Sequence, residues 1–227
     1  MSCLISVGAR SSALSRVQVE EVLQELNQYH RVEFDPTWVN TTGDIDLETS
    51  LSTLGKTDFF TKEIDALQMK GEVRISIHSA KDLPDPLPEG LVLVALTKGV
   101  DSSDSIVLRE GETLQTLPKN ARIGTSSIRR EQNIKVLRSD LVCADIRGNI
   151  LARLAQLDAG AFDGVVMAEA ALIRLKLTHR NRISLPGEGA PLQGQLAVLA
   201  RADDEEMQQL FRCIDVRKHE NHFVLGN

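Results

Sequence analysis

Short apolar runs alternate along this chain with segments of helical period, and no other feature of the sequence constrains the fold as much. Leu4-Ile5-Ser6-Val7 reads as a buried strand, followed by a helix from about Ser12 to Asn27 with apolar positions at Leu14, Val17, Val22, Leu23 and Leu26. Val32–Val39 alternates as a strand, Thr41–Thr57 reads as a loop, and a helix runs from Asp58 to Gly71. Further strands are predicted at Val73–Ile77, Leu91–Leu96 and Ile106–Leu108. A second set follows: strand Arg122–Ile123, helix from Ser127, strand Leu141–Asp145, helix from Asn149, strand Gly164–Met167 and helix Ala168–Leu175. A strand at Leu196–Leu199 and a helix from Asp203 to about Val216 close the pattern. Such an order predicts an α/β fold with mainly parallel pairing. The 227 residues suffice for one large domain or two small ones.

One motif occurs twice. Val7-Gly8-Ala9-Arg10-Ser11-Ser12 and Ile123-Gly124-Thr125-Ser126-Ser127-Ile128-Arg129 both read as strand, glycine, hydroxyl-rich turn, then helix. Ser or Thr caps a helix, and free N–H groups at its positive end attract anions, so each turn is a plausible anion cradle with an Arg beside it. The blander alternative is two ordinary helix caps. Two copies suggest two similar lobes.

Charge sharpens this. The chain carries a formal net charge of −6, yet eight basic and only three acidic residues lie between Lys119 and Arg153. Arginine, the bidentate reader of carboxylate and phosphate, outnumbers lysine 17 to 9. A site for a small polyanion fits this pattern; a solvated basic face fits it as well. Arg129 and Arg130 fall in the first turn of a helix, where the dipole disfavours cations, so a bound anion is the expected compensation. Arg147 sits between a strand and a helix start, with Arg153 in the helix that follows.

Several functions are disfavoured. No apolar run approaches the ~20 residues that span a bilayer. The first residues show no basic n-region or small-residue cleavage site. Aromatics at 4% make a base-stacking surface improbable, so no nucleic-acid partner is expected. Cys3, Cys143 and Cys213 are an odd, scattered set without a CxxC, which argues against a disulfide framework or a zinc site and for a reducing, cytoplasmic location. No nucleophile elbow or phosphate loop is present. Asp44 and Asp46 lie in a polar loop, where an acid is most often a turn former. Lys81 and Asp82 lie just past a strand's C-terminal end, where α/β sheets place ligands, while His78 reads as a packed, hydrogen-bonded core histidine.

In this order, seven motifs resemble the porphobilinogen deaminase (hydroxymethylbilane synthase) family. They are Gly8-Ala9-Arg10-Ser11-Ser12-Ala13-Leu14, Thr42-Gly43-Asp44, Phe60-Thr61-Lys62-Glu63, His78-Ser79-Ala80-Lys81-Asp82-Leu83-Pro84, Gly124-Thr125-Ser126-Ser127-Ile128-Arg129-Arg130, Ile146-Arg147-Gly148-Asn149 with Arg153, and Gln193-Gly194. The resemblance runs from about Val7 to about Glu220. It implies two periplasmic-binding-protein-like lobes, the first discontinuous (1–97 plus 198–227) and the second spanning 98–197, hinged around a cleft. It also implies head-to-tail condensation of four porphobilinogens with loss of ammonia, in haem and other tetrapyrrole biosynthesis. Asp44 matches the family's catalytic aspartate, which contacts pyrrole N–H groups and stabilises the azafulvene cation. Arg10, Arg129, Arg130, Arg147, Arg153 and Arg174, with Ser12, Thr125 and Ser127, would bind the carboxylate arms of porphobilinogen and the growing polypyrrole chain. Lys81 would join them and Phe60 would pack near the rings, while Gln18, Asp82, Ser126 and Gln193 complete the expected binding set.

Two departures shape the expectation. The family usually continues into a third domain whose Gly-Gly-Cys carries a dipyrromethane primer as a thioether, and these 227 residues hold no such motif. A short form is therefore expected, its dipyrromethane attached to none of the three cysteines but held non-covalently by the arginine series or supplied as free chain; a monomer is expected as well. The Gly55–Phe60 segment also lacks the Lys-Gly usual before the aromatic pair. A non-catalytic carboxylate-binding protein is the alternative, and the presence of Asp44 favours the enzyme, since a mere binder of anions gains nothing from another anion.

Overall fold

The computed structural model describes residues 3–49 and 57–218. Part of the loop expected at Thr41–Thr57, the Gly55-Lys56 pair and the end of the resemblance near Glu220 lie outside these residues. In chain order the elements begin β1 (Cys3–Arg10), α1 (Ala13–Leu26), β2 (Val32–Val39), α2 (Thr42–Ile45), α3 (Lys62–Met69), β3 (Ile75–Ser79) and β4 (Leu91–Leu96). Then come β5 (Asp104–Leu108), β6 (Arg122–Gly124), α4 (Ile128–Leu137), β7 (Val142–Ala144), α5 (Ile150–Asp158), β8 (Gly164–Ala168) and α6 (Glu169–Arg174). The last are β9 (Arg182–Leu185), β10 (Leu196–Arg201) and α7 (Glu205–Leu210).

The chain divides into two compact units, one of residues 1–43, 56–100 and 195–227, the other of 44–55 and 101–194. Each has its own five-stranded sheet, ordered β2-β1-β3-β10-β4 in the first and β7-β6-β8-β5-β9 in the second. The two sheets share one plan. Three strands pair in parallel, a fourth is reversed, and an outer strand pairs antiparallel with that fourth one. The expectation of mainly parallel pairing is thus corrected: both sheets are mixed. The reversed strands, β5 and β10, are the first strands along the chain after it leaves the other unit, so each enters its sheet from outside the local strand–helix–strand series. A crossing at 197/198 would cut β10, which pairs along its length with β3 and β4; the change of unit falls at 194/195 instead.

The cores follow from the apolar pattern. In the first unit Ile5, Val7, Val22, Leu26, Ile75, Ile77 and Phe211 are sealed from solvent. In the second, alternate residues of β5 serve opposite faces: Ile106 and Leu108 pack with Ile123 and Ile134, Val107 with Leu157 and Val165. A strand covered on both faces needs a continuous apolar run, and Ile106-Val107-Leu108 supplies one. Each such side chain contributes roughly 1.5–3 kcal/mol by leaving water.

Several ends differ from expectation. The helix predicted from Asp58 starts at Lys62, because Asp58–Thr61 form the turn whose carbonyls receive the first helical N–H groups. The last helix stops at Leu210 and tightens into 3-10 turns at Phe211–Ile214 and Val216–Lys218. The expected loop contains α2, and β9 was not expected. Cys3 opens β1 and is exposed, and Cys143 in β7 is half-buried. Among the described residues no helix is long and apolar enough to cross a membrane.

Candidate functional site

In both units most of the predicted site residues follow the carboxyl ends of the mutually parallel strands, where an open α/β sheet leaves room for a ligand; Gln18 lies within α1, Phe60 before α3, Gln193 before β10 and Arg174 at the far end of α6. In the first unit Arg10 ends β1, Thr42 and Gly43 follow β2, and Lys81 and Asp82 follow β3 in a 3-10 turn, while Asp44 opens the 44–55 segment that belongs to the second unit. In the second, Thr125–Arg130 follow β6, Arg147 and Arg153 follow β7, and Arg174 ends the helix after β8.

Two distant motifs of the first unit build one corner together. The Gly43 N–H donates to Phe59 O at 2.9 Å. A Cβ on Gly43 would stand 2.2 Å from the Phe60 ring, so only glycine lets the ring lie there. Glu63 Oε1 accepts from the Thr42 N–H at 3.0 Å and from the Thr42 hydroxyl, closing the loop onto α3. The Arg10 guanidinium lies over the same ring, 4.6 Å from the Phe60 centroid, a cation–π contact. Asp44 follows Gly43 in α2 and is half-buried. Asp46 is the turn former: its carboxylate accepts from the Thr49 hydroxyl at 2.6 Å and from the Thr49 and Glu48 N–H groups, and these bonds hold its pKa below the usual range.

Gln18 and Ser12 have local partners. Gln18 is buried and donates to Ser79 Oγ at 2.9 Å, which ties α1 to the end of β3. Ser12 caps α1, accepting from the Ser15 N–H at 3.2 Å. His78 is packed as expected, 5% exposed, but its Nε2 has no hydrogen-bond partner. Burial, helped by the charge of Arg10, pushes its pKa down to about 4, so the ring is neutral at neutral pH.

The β6–α4 turn is arranged differently. Ser127 stands at the N-cap of α4 but makes no side-chain cap bond. The Thr125 hydroxyl is buried without a partner, and so is Arg130 Nε. Ser126 is spoken for: its hydroxyl bonds Asp145, donates to Ile146 O at 2.8 Å and accepts from the Ile146 N–H at 3.1 Å. Arg129 and Arg130 are not left uncompensated, and the inference of a bound anion from their helix position alone is corrected. Arg129 Nη2 donates to Asp104 Oδ2 and Arg130 Nη2 to Asp104 Oδ1, both at 2.6 Å. Gln193 Nε2 joins at 3.0 Å from Asp104 Oδ1 and also holds Ser102 O and Ser103 O. Burial raises the Asp104 pKa, but the two guanidinium groups and Gln193 outweigh it and leave it below the usual range.

Three further arginines have backbone partners. Arg147 Nη2 donates to Asp46 O at 2.6 Å, and Arg153 Nε to Gly148 O at 2.8 Å. Arg174, expected to bind a carboxylate arm, is 8% exposed and donates to Gly194 O at 2.8 Å. A Cβ on Gly194 would lie 2.2 Å from Asp101 O, which explains the glycine after Gln193. Asp104 escaped the sequence reading; its signal was an acid opening an apolar strand, Asp104-Ser105-Ile106-Val107-Leu108. Among the described residues no group of three or more His, Cys, Asp or Glu could hold a metal ion.

The paired sheets place the chain in a class of two-unit α/β proteins. The OxyR2 regulatory domain from Vibrio vulnificus matches with a TM-score of 0.54 at 13% identity, over 94% of this chain and 95% of that one. The amino-acid ABC transporter extracellular-binding protein YtmK from Bacillus subtilis matches with a TM-score of 0.53 at 11% identity, over 97% and 93%. These likenesses speak for the fold alone. Residues 5–209 match the family model described as porphobilinogen deaminase, dipyromethane cofactor binding domain, and the chain belongs to that family. It is 41% identical over 218 residues to the porphobilinogen deaminase of Desulforudis audaxviator, covering 93% of this chain and 70% of that protein. It is 39% identical over 217 residues to that of Chlorobium phaeobacteroides, covering 92% and 68%.

Proposed function

We propose that this chain is a porphobilinogen deaminase, a transferase that joins porphobilinogen units head to tail into hydroxymethylbilane and releases one ammonia per unit. It works as a monomer in the cytoplasm. The observation that carries the reading is the β6–α4 turn. Its buried Thr125 hydroxyl and Arg130 Nε have no partner, and the α4 N-terminus has no side-chain cap. Burying polar groups unsatisfied costs about 1–3 kcal/mol each, and a ligand carboxylate is the complement these donors lack. Every pyrrole unit carries two such arms.

The unused Thr125 hydroxyl and Arg130 Nε fit dipyrromethane, which offers carboxylates of the same kind. Thr125, Ser127, Arg129 and Arg130 would hold them within the second unit; in the first unit Arg10 and Lys81 are the cations that the family resemblance assigns to carboxylate arms. When bound, dipyrromethane supplies the primer end to which new units are joined. In each joining the C–N bond of the substrate's aminomethyl group breaks, ammonia leaves, and positive charge develops on the pyrrole. The exocyclic carbon forms a C–C bond to the free α-carbon of the chain's terminal pyrrole, which then loses its proton. Asp44 holds the pyrrole N–H groups and stabilises that charge, an anion fixed in advance of the charge it meets. Phe60, held by Gly43 and covered by Arg10, offers an apolar face to the rings.

Incubating the purified protein with porphobilinogen and following its disappearance tests the reading. Consumption with release of ammonia is expected. No consumption, even with preformed polypyrrole chain added, would contradict it.

A further inference from the structure

The Asp104 carboxylate lies at the base of the β6–α4 turn, only 2% of its side chain exposed. Each oxygen takes one arginine, Oδ2 from Arg129 and Oδ1 from Arg130, both at 2.6 Å. The opposite nitrogen of each guanidinium is also fixed, Arg129 Nη1 on Glu188 O at 2.6 Å and Arg130 Nη1 on Val166 O at 3.5 Å. Gln193 braces the carboxylate from β10's side of the chain, at 3.0 Å. Two adjacent guanidinium groups would repel and splay without a shared counter-ion. With Asp104 between them the three groups carry a net charge of +1, and the Arg130 Nε edge remains buried and unused.

We propose that Asp104 is the positioning residue of the Arg129–Arg130 pair: it orients both guanidinium groups and limits their charge so that the pair takes one carboxylate arm rather than two. This rests on the reading that the β6–α4 turn receives substrate carboxylate. Asp104 itself touches no substrate. It acts as an internal carboxylate, taking one edge of each arginine so that the other edges are presented in a fixed direction. A substrate with two anionic arms then places only one of them on the pair, which fixes which way round the ring sits.

The test uses the full chain and the variants Asp104→Asn and Asp104→Asn/Arg129→Gln. Arginine side-chain nitrogen NMR reports orientation without requiring turnover. The parent should show ordered, slowly exchanging Arg129 and Arg130 Nε–H signals, and Asp104→Asn should lose them while the backbone spectrum stays folded. With porphobilinogen as substrate, Asp104→Asn should raise KM about tenfold with kcat within about threefold, and steepen the dependence of kcat/KM on ionic strength. The double variant, with net charge +1 restored, should return that dependence to the parent's. Ordered arginine signals in folded Asp104→Asn would overturn the proposal. So would a fall in kcat and thermal stability at unchanged KM and salt dependence, which marks a merely structural residue. A parent that consumes no porphobilinogen would instead count against the proposed function, and the NMR arm would still decide the role of Asp104.

Discussion

The β1–α1 and β6–α4 turns have the same sequence plan and the same place in their sheets, yet they end in different chemical states. In the first, Ser12 caps its helix and the Arg10 guanidinium rests on Phe60. In the second, Ser127 makes no cap bond, Thr125 and Arg130 keep buried polar atoms without partners, and the arginines share Asp104. The difference teaches that a helix N-terminus becomes a ligand site only where the protein leaves its donors unspent. A turn satisfied by its own side chains stabilises the fold; a turn left unsatisfied gives up stability for affinity.

The largest effect should come from a residue outside both turns. Asp44→Asn keeps the shape of the side chain and removes its charge, so kcat should fall about a hundredfold to a thousandfold while KM stays near the parent's. Steady-state kinetics on porphobilinogen check this, and turnover at the parental rate would remove Asp44 from the mechanism. Next, Arg129→Leu takes one of two arginines from the buried Asp104, so stability should fall by about 2–3 kcal/mol in denaturant unfolding and KM should rise about tenfold. The equivalent change on the other turn, Arg10→Leu, removes the cation–π contact with Phe60 and the charge that faces His78, and should cost about 1 kcal/mol. Equal losses of stability would erase the contrast between the two turns.

A pH profile probes the first unit. His78 has a folded pKa near 4 against an ordinary 6.5, so between those values the unfolded chain binds a proton that the folded chain refuses. Stability contributed by the neutral ring is therefore complete above about pH 6.5 and is lost as pH falls towards 4, by at most ~3 kcal/mol. Urea unfolding of the parent and of His78→Gln across this window should diverge, with the variant flatter. Parallel profiles would mean that the ring is not sealed.

The alternation of strands and helices was legible because apolar period reports burial directly, and Val32–Val39 and Leu91–Leu96 match the observed strands residue for residue. Period says nothing about strand direction. That β5 and β10 run reversed depends on where the chain re-enters each sheet, which is a tertiary fact. Strand β9, Arg182-Ile183-Ser184-Leu185, is four residues long at a sheet edge and too short to show a period. The cap roles of Ser12 and Asn149 were readable, since each acts within three residues of itself. Asp104 was not: its partners lie 25, 26 and 89 positions away, and Ser102-Ser103-Asp104-Ser105 reads locally as a polar turn. The arginine pair was visible in the sequence, but the carboxylate that balances it was not.

The most direct measurement sets one hydroxyl of each turn against the other. Thr125→Val removes a buried hydroxyl that bonds nothing, so stability should stay within about 0.5 kcal/mol of the parent or rise, while porphobilinogen binding weakens about fivefold to tenfold. Ser12→Ala removes a helix cap, so stability should fall by about 1 kcal/mol with binding nearly unchanged. Denaturant unfolding and ligand titration on the same two preparations give all four numbers. Stability lost at Ser12 and affinity lost at Thr125 is the predicted result; affinity lost at Ser12 and only stability lost at Thr125 would contradict the account.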